Sequence, residues 1–139
     1  MRILCCVKRV PITGGKMVLT ADGQALETKH LGFTISPHEE CAVEEAVRIG
    51  GEVVVLTLGP AEAEEQLRDC MAIGADRGIL LKTNGEEWDA QATAAAIVDV
   101  IRGEEPFDLI LFGNESADAA GYQVGSASRT RSGCRWSPA

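Results

Sequence analysis

The chain has 139 residues, enough for one domain of ordinary size. With 45% hydrophobic residues and a mean hydropathy of +0.02, it reads as soluble and globular, and no apolar run approaches the ~20 residues of a membrane-spanning helix. A pI of 4.7 with only 4% aromatic residues excludes a phosphate-backbone binder and a base-stacking platform.

The first strand is predicted at Ile3-Leu4-Cys5-Cys6-Val7, a continuous apolar run ended by Lys8-Arg9, as expected of a strand buried on both faces. Preceded by Arg2, this run is too short for a signal peptide, so the expected location is the cytoplasm. The five cysteines (Cys5, Cys6, Cys41, Cys70, Cys134) form no C-x-x-C pair and are read as reduced thiols, without a metal site. Val10 to Gly15 reads as a loop by its Pro and Gly content. Residues 17–28 read as a small hairpin turning at Asp22-Gly23.

Ser36-Pro37-His38-Glu39 predicts a helix start, with Ser36 as N-cap, Pro37 at the first helical position and Glu39 closing a capping box. Ala42, Val43, Ala46, Val47 and Ile49 follow at helical spacing, and Gly50-Gly51 ends the helix. Val53–Leu58 is the strongest strand signal. Gly59-Pro60 then leads into a second helix, Ala61–Ile73. A third strand at Gly78–Leu81 and a third helix at Ala90–Ile101, capped by Asp89, precede a fourth strand at Phe107–Phe112. Strands alternating with helices imply right-handed crossovers onto an open parallel sheet with helices on both faces. Ligands of such sheets bind beyond the carboxyl ends of the strands, which points to Val7-Lys8-Arg9, Leu58-Gly59-Pro60 and Gly113-Asn114-Glu115.

The stretch from Gly113 to Gly125 follows a strand and opens a helix, and its small residues let backbone N–H groups approach a ligand. Asn114, Ser116 and Gln123 supply polar groups suited to phosphate or sugar. The competing reading is an ordinary connection with Asp118 as a helix N-cap. Lys8 and Arg9 read first as a solvated strand end, and Cys6 as a small buried hydrophobe. His38 is expected on the surface, and Glu39, Glu40, Glu44 and Glu45 as a solvated helix face. The two histidines, His30 and His38, lie in no nucleophile–base pattern, so the chain is not expected to be an enzyme by itself.

Several segments together resemble the β subunit of electron transfer flavoprotein, the FixA type. They are Val7–Pro11, Ser36-Pro37 with Ala42–Arg48, Leu58-Gly59-Pro60, Ala72–Gly78 and Gly113–Gly125. The resemblance covers residues 1–125. It implies an adenine-nucleotide-binding, Rossmann-like sheet of order 3-2-1-4, numbering the sheet strands alone, with a fifth strand missing. It also implies a heterodimer with an α subunit that holds most of the FAD, taking electrons from dehydrogenases to a quinone reductase or similar acceptor. Within the β subunit the resemblance places AMP against Cys6, Ser36, Pro37, His38, Glu39, Leu58, Gly113, Asn114, Glu115, Ser116, Ala117, Asp118, Gln123 and Val124. Thr13 and His38 fall where relatives approach the flavin. A second FAD replaces AMP in bifurcating relatives. Ala120 and Gly121 depart from their pattern and favour AMP.

All 21 acidic residues lie at or before Asp118, whereas residues 126–139 hold Arg129, Arg131 and Arg135 and no acid. This stretch lacks helical periodicity and reads as a disordered tail outside the family pattern, leaving residues 1–125 as the nucleotide-binding domain. The family-like continuation Ile-Arg-Val-Ala-His-Ala-Leu-Gly-Leu-Pro-Val-Val, written in GC-rich codons and stripped of its first base, translates as Ser126 to Ser137. The expectation is a one-base frameshift after Gly125, real or introduced in sequencing. With the fifth strand lost, Phe107–Phe112 becomes an apolar edge that invites aggregation and weak pairing with α. The competing readings are a stand-alone adenine-nucleotide module and a broken gene product. A stress-response module would need G-x₂-G-x₉-G-[ST] after the last strand, and a PP-loop ligase S-G-G-x-D-S after the first, and neither is here. Sequencing the genomic DNA across the Gly125 codon checks the frameshift. A restored base makes residues 126–139 an artefact, and an unchanged frame makes them the protein's own.

Overall fold

The computed structural model describes residues 1–132 apart from Thr13, Gly15, Lys16, His30, Ala117, Ala119 and Ala120. Four parallel strands form the central sheet: β1 (Arg2–Cys6), β4 (Glu52–Gly59), β5 (Arg77–Lys82) and β6 (Leu109–Phe112), in the spatial order β5-β4-β1-β6. This is the order the resemblance implied, with β6 at one edge. Two short strands, β2 (Arg9–Pro11) and β3 (Phe33–Ile35), pair antiparallel beside it. The helices are α1 (Pro37–Ile49), α2 (Glu64–Ile73, entered through a 3₁₀ turn at Ala61–Ala63), α3 (Ala90–Gly103) and α4 (Val124–Ser132).

The strands alternate their side chains between two cores. Ile3, Cys5, Val53 and Val55 meet Val43 and Ala46 of α1 and Leu67 and Cys70 of α2. Leu4, Cys6, Val54 and Leu56 meet Ile97 of α3, with Val124 of α4 packed alongside. Burial on both faces is why these strands read as unbroken apolar runs. At the amino ends of the strands, Arg2 closes the sheet electrostatically. Its Nε donates to Glu52 Oε2 (2.7 Å), its guanidinium pairs with Glu104 at 3.0 Å and stacks on Phe107, and its backbone N–H donates to Asp108 Oδ2 (2.7 Å). Arg77 joins the same Glu104 carboxylate. Gly51, at φ +110°, has no room for a side chain, because a Cβ there would overlap the Met1 carbonyl.

Most elements fall where the sequence placed them, and Asp89 caps α3 by accepting from the backbone of Gln91 and Ala92 at 2.8 Å each. Three expectations change. The hairpin at 17–28 is present, with Leu19 bridging Leu26 and the Thr20 and Glu27 N–H groups donating to the Ala25 and Val18 carbonyls (2.8 Å each), but part of the segment read as a loop forms β2 and pairs antiparallel with β3. The capping box at α1 lacks its hydroxyl half, since Ser36 makes no side-chain cap. Residues 126–132, expected to be disordered, continue α4. A helix packs there without large apolar residues because Val124, Ala127 and Ser128 lie at i, i+3 and i+4, so small side chains let α4 approach α3 closely. The Arg102 guanidinium ties the two helices by donating to the Arg131 carbonyl (3.2 Å). Residues 133–139 lie outside the described residues.

Leu4 is fully buried at the centre of the sheet. Leu4→Ala is expected to cost about 2–5 kcal/mol, read as a lower urea midpoint at unchanged slope.

Candidate functional site

The sheet order reverses at β1: the chain leaves β1 toward β4 and β5 and returns on the other side as β6. The carboxyl ends of β1 and β6 therefore frame the crevice in which ligands of this fold class bind. Three segments converge there: Val7-Lys8 after β1, Ser36–Glu39 at the start of α1, and Gly113–Ser116 with Asp118 after β6.

Glu39 lies at their junction. The sequence placed it on a solvated helix face, but its side chain turns inward and it is only 7% exposed. Its Oε2 accepts the Lys8 backbone N–H at 2.7 Å. Gly113 passes so close that a Cβ there would overlap Glu39 Cγ and lie 3.1 Å from Oε1, which is why this position has no side chain. Burial pushes the Glu39 carboxyl up to about 7, with Asp118 adding to the rise against the opposing pull of the Lys8 N–H, the Lys8 charge and the Ser36 backbone.

Lys8, read as a solvated strand end, is a tie across the crevice, its side chain 32% exposed. Its ammonium bonds Glu87 Oε1 (2.7 Å) in the connection before α3 and Asp118 (2.9 Å) in the connection after β6. Desolvation alone would lower its pKa, yet the hydrogen bonds it donates to Glu87 and Asp118 outweigh it and raise the value. Asp118 is therefore not the N-cap of α4, which starts six residues later at Val124. Arg9, next in sequence, stacks its guanidinium 3.4 Å over the Phe33 ring.

Glu115 gathers the α1 side. Its carbonyl accepts from Ser36 Oγ (3.3 Å), and its carboxylate lies 3.5 Å from His38 Nε2. Its carboxylate also hydrogen-bonds Tyr122 and raises that phenol's pKa. Tyr122 stands 58% exposed at φ +51°, a left-handed conformation rare for a tyrosine. His38 is on the surface, as expected. Of the remaining candidates, Pro37 and Asn114 are exposed, Ser116 is half-buried, and Leu58 is half-buried one strand over at the end of β4. Cys6 is buried beneath the crevice, and desolvation raises its thiol well above the ordinary range. Gln123 starts α4 through its carbonyl, which accepts the Ala127 N–H, and Val124 packs into the core. Thr13 and Ala117 lie outside the described residues.

The segments that the sequence singled out after β1, at the start of α1 and after β6 meet in the structure, and the burial of Glu39 and the pairing of Lys8 were not read from residue type. Glu39 was legible only through Gly113, whose bareness is explained by the carboxyl against it. Lys8 was legible only through its position directly after the strand at which the order reverses.

This sheet order and a crevice between β1 and β6 define a doubly wound α/β domain. The chain belongs to the electron transfer flavoprotein domain family, whose model matches residues 25–134. It is 39% identical over 130 residues to the electron transfer flavoprotein subunit beta of Bradyrhizobium diazoefficiens, covering 90% of this chain and 51% of the relative. It is 36% identical over 132 residues to the caffeyl-CoA reductase-Etf complex subunit CarD of Acetobacterium woodii, covering 91% and 50%. To the human electron transfer flavoprotein subunit beta it is 32% identical over 132 residues, covering 90% and 52%. The chain spans about half the length of these relatives.

A carboxyl whose folded pKa lies above its unfolded value of 4.5 binds its proton more tightly in the folded state. Its contribution to stability is full below about pH 4.5 and is lost as the pH rises through about 7. Glu39→Gln, which mimics the neutral form, removes this dependence. Wild-type stability relative to the variant is expected to fall by on the order of 3 kcal/mol across that window in urea unfolding at stepped pH. A difference that stays level with pH would contradict the burial argument.

Proposed function

We propose that this chain acts as the β-type part of an electron transfer flavoprotein, paired with an FAD-binding α subunit and holding AMP in the crevice between β1 and β6. The complex carries electrons from dehydrogenases to a quinone reductase or similar acceptor, and this chain is a carrier part without catalytic residues of its own. Its place is the cytoplasm. No described helix is long and apolar enough to cross a membrane. Among the described residues no group of three or more His, Cys, Asp or Glu is placed to hold a metal ion.

The convergence of Lys8, Ser36–Glu39, Gly113–Ser116 and Asp118 at the reversal of strand order carries this reading, together with family membership. The residues fit an adenine nucleotide. The amino end of α1 offers backbone donors and a favourable dipole to a phosphate, and the Ser36 hydroxyl is not spent on the helix itself. Lys8 brings a half-buried positive charge, and Asn114 an exposed amide. Glu39 would oppose an anion if charged, but with its pKa near 7 it is readily neutralised beside one. The FAD shared with α supplies the redox chemistry, and this chain's residues bind, orient and desolvate the nucleotide. Ala120 and Gly121 favour AMP over a second FAD.

Mixing the full chain with an electron transfer flavoprotein α subunit tests the reading. A 1:1 complex with flavin absorbance is expected on size exclusion, with AMP released on denaturation and identified by mass. Two FAD per complex and no AMP would overturn the AMP assignment, and absence of a flavin-bearing complex would overturn the subunit assignment.

A further inference from the structure

We propose that the Lys8 ammonium is the phosphate-reading group of the crevice and that Glu87 is a stand-in anion which the nucleotide's phosphate displaces. This rests on the adenine-nucleotide reading above and adds to it the residue that distinguishes a nucleotide from its nucleoside.

Lys8 leaves the sheet at the strand where the order reverses, and its backbone is anchored on one side by Glu39 (2.7 Å) and preceded by the Val7 N–H bonded to the Leu56 carbonyl (2.8 Å). The root of the side chain is therefore fixed, and the half-buried stem delivers the ammonium to the connection after β6. There it meets two carboxylates of unequal standing. Asp118, with a side chain 23% exposed, belongs to the crevice connection itself, so its bond to Lys8 positions that connection. Glu87, 65% exposed, reaches in from the surface segment before α3. An exposed ion pair adds little stability and exchanges readily. Two carboxylates, Glu87 and Asp118, thus share a single ammonium, while Glu39 sits on the Lys8 backbone. The crevice carries surplus negative charge, and a phosphate enters favourably only by replacing one of these anions. Glu87 is the partner whose departure exposes least, because its carboxylate is already in water. A phosphate taking its place keeps the ammonium paired and Asp118 in position.

The other described cations are less suited. The Arg9 guanidinium stacks on the Phe33 ring with its Nε buried, Lys29 is 80% exposed and paired with Glu27, and Lys82 is exposed at the end of β5, two strands from β1.

Calorimetric titration of the full chain, in complex with α where the complex forms, tests the inference with AMP and adenosine as probes. Lys8→Met is expected to weaken AMP about 10-fold or more and to leave adenosine within about twofold. Glu87→Gln is expected to tighten AMP severalfold, and because its side chain is mostly exposed this variant keeps the fold even if Lys8→Met does not. Equal losses for AMP and adenosine in Lys8→Met would make Lys8 a clip between connections and overturn the proposal, as would weaker AMP binding in Glu87→Gln. A wild-type chain that binds neither probe would overturn the nucleotide reading itself, whereas wild-type AMP binding unchanged in both variants would overturn the Lys8 assignment alone.

Discussion

The Glu39 carboxyl holds the crevice together. It is the single acid buried among the described residues, and it touches each of the three segments that meet there. It belongs to the first turn of α1, accepts the N–H of Lys8 at the end of β1, and lies against Gly113 at the end of β6. A buried carboxyl is tolerable only with donors in place or a proton retained. Here it has both, an N–H at 2.7 Å and a pKa near neutrality. The position of α1 relative to the strand ends, and the path of the chain after β6, follow from satisfying that one group.

The two ends of the sheet are built by different physics. At the amino ends, Arg2 and Arg77 share Glu104, with Glu52 and Asp108 adding acceptors to Arg2, which ties β1 to β4, to β5 and to the connection before β6. At the carboxyl ends Glu39, Glu87 and Asp118 gather on Lys8, and Glu115 lies against His38. The first arrangement joins several acids to two arginines. The second holds exchangeable pairs at the place where this topology receives ligands. The two arrangements lie at opposite ends of the strands, with the apolar layers between them.

Much of the fold was legible along the chain. The runs at Ile3–Val7 and Val53–Leu58, the spacing of Val43, Ala46 and Val47, and the capping acid Asp89 each state a local preference that the tertiary structure keeps. The site was legible as segments, because topology alone says which strand ends form the crevice. Its chemistry was not. The reading of Glu39 as solvated and of Lys8 as a loose strand end came from residue type, and residue type favours the surface for both. The helix through Ser132 was missed for a related reason. Its contact face is made of small residues, which packing uses and hydropathy does not register.

The sequence by itself determined the identity and order of the four sheet strands and of α1 to α3, since helical and strand periodicities are written within a few neighbouring residues. Only the tertiary structure decided which charges are buried and which are paired. Those outcomes join Lys8 to Glu39, 31 positions on, to Glu87, 79 positions on, and to Asp118, 110 positions on. Burial and pairing are properties of the space between such residues. That space exists only once β1, α1 and β6 have closed around it.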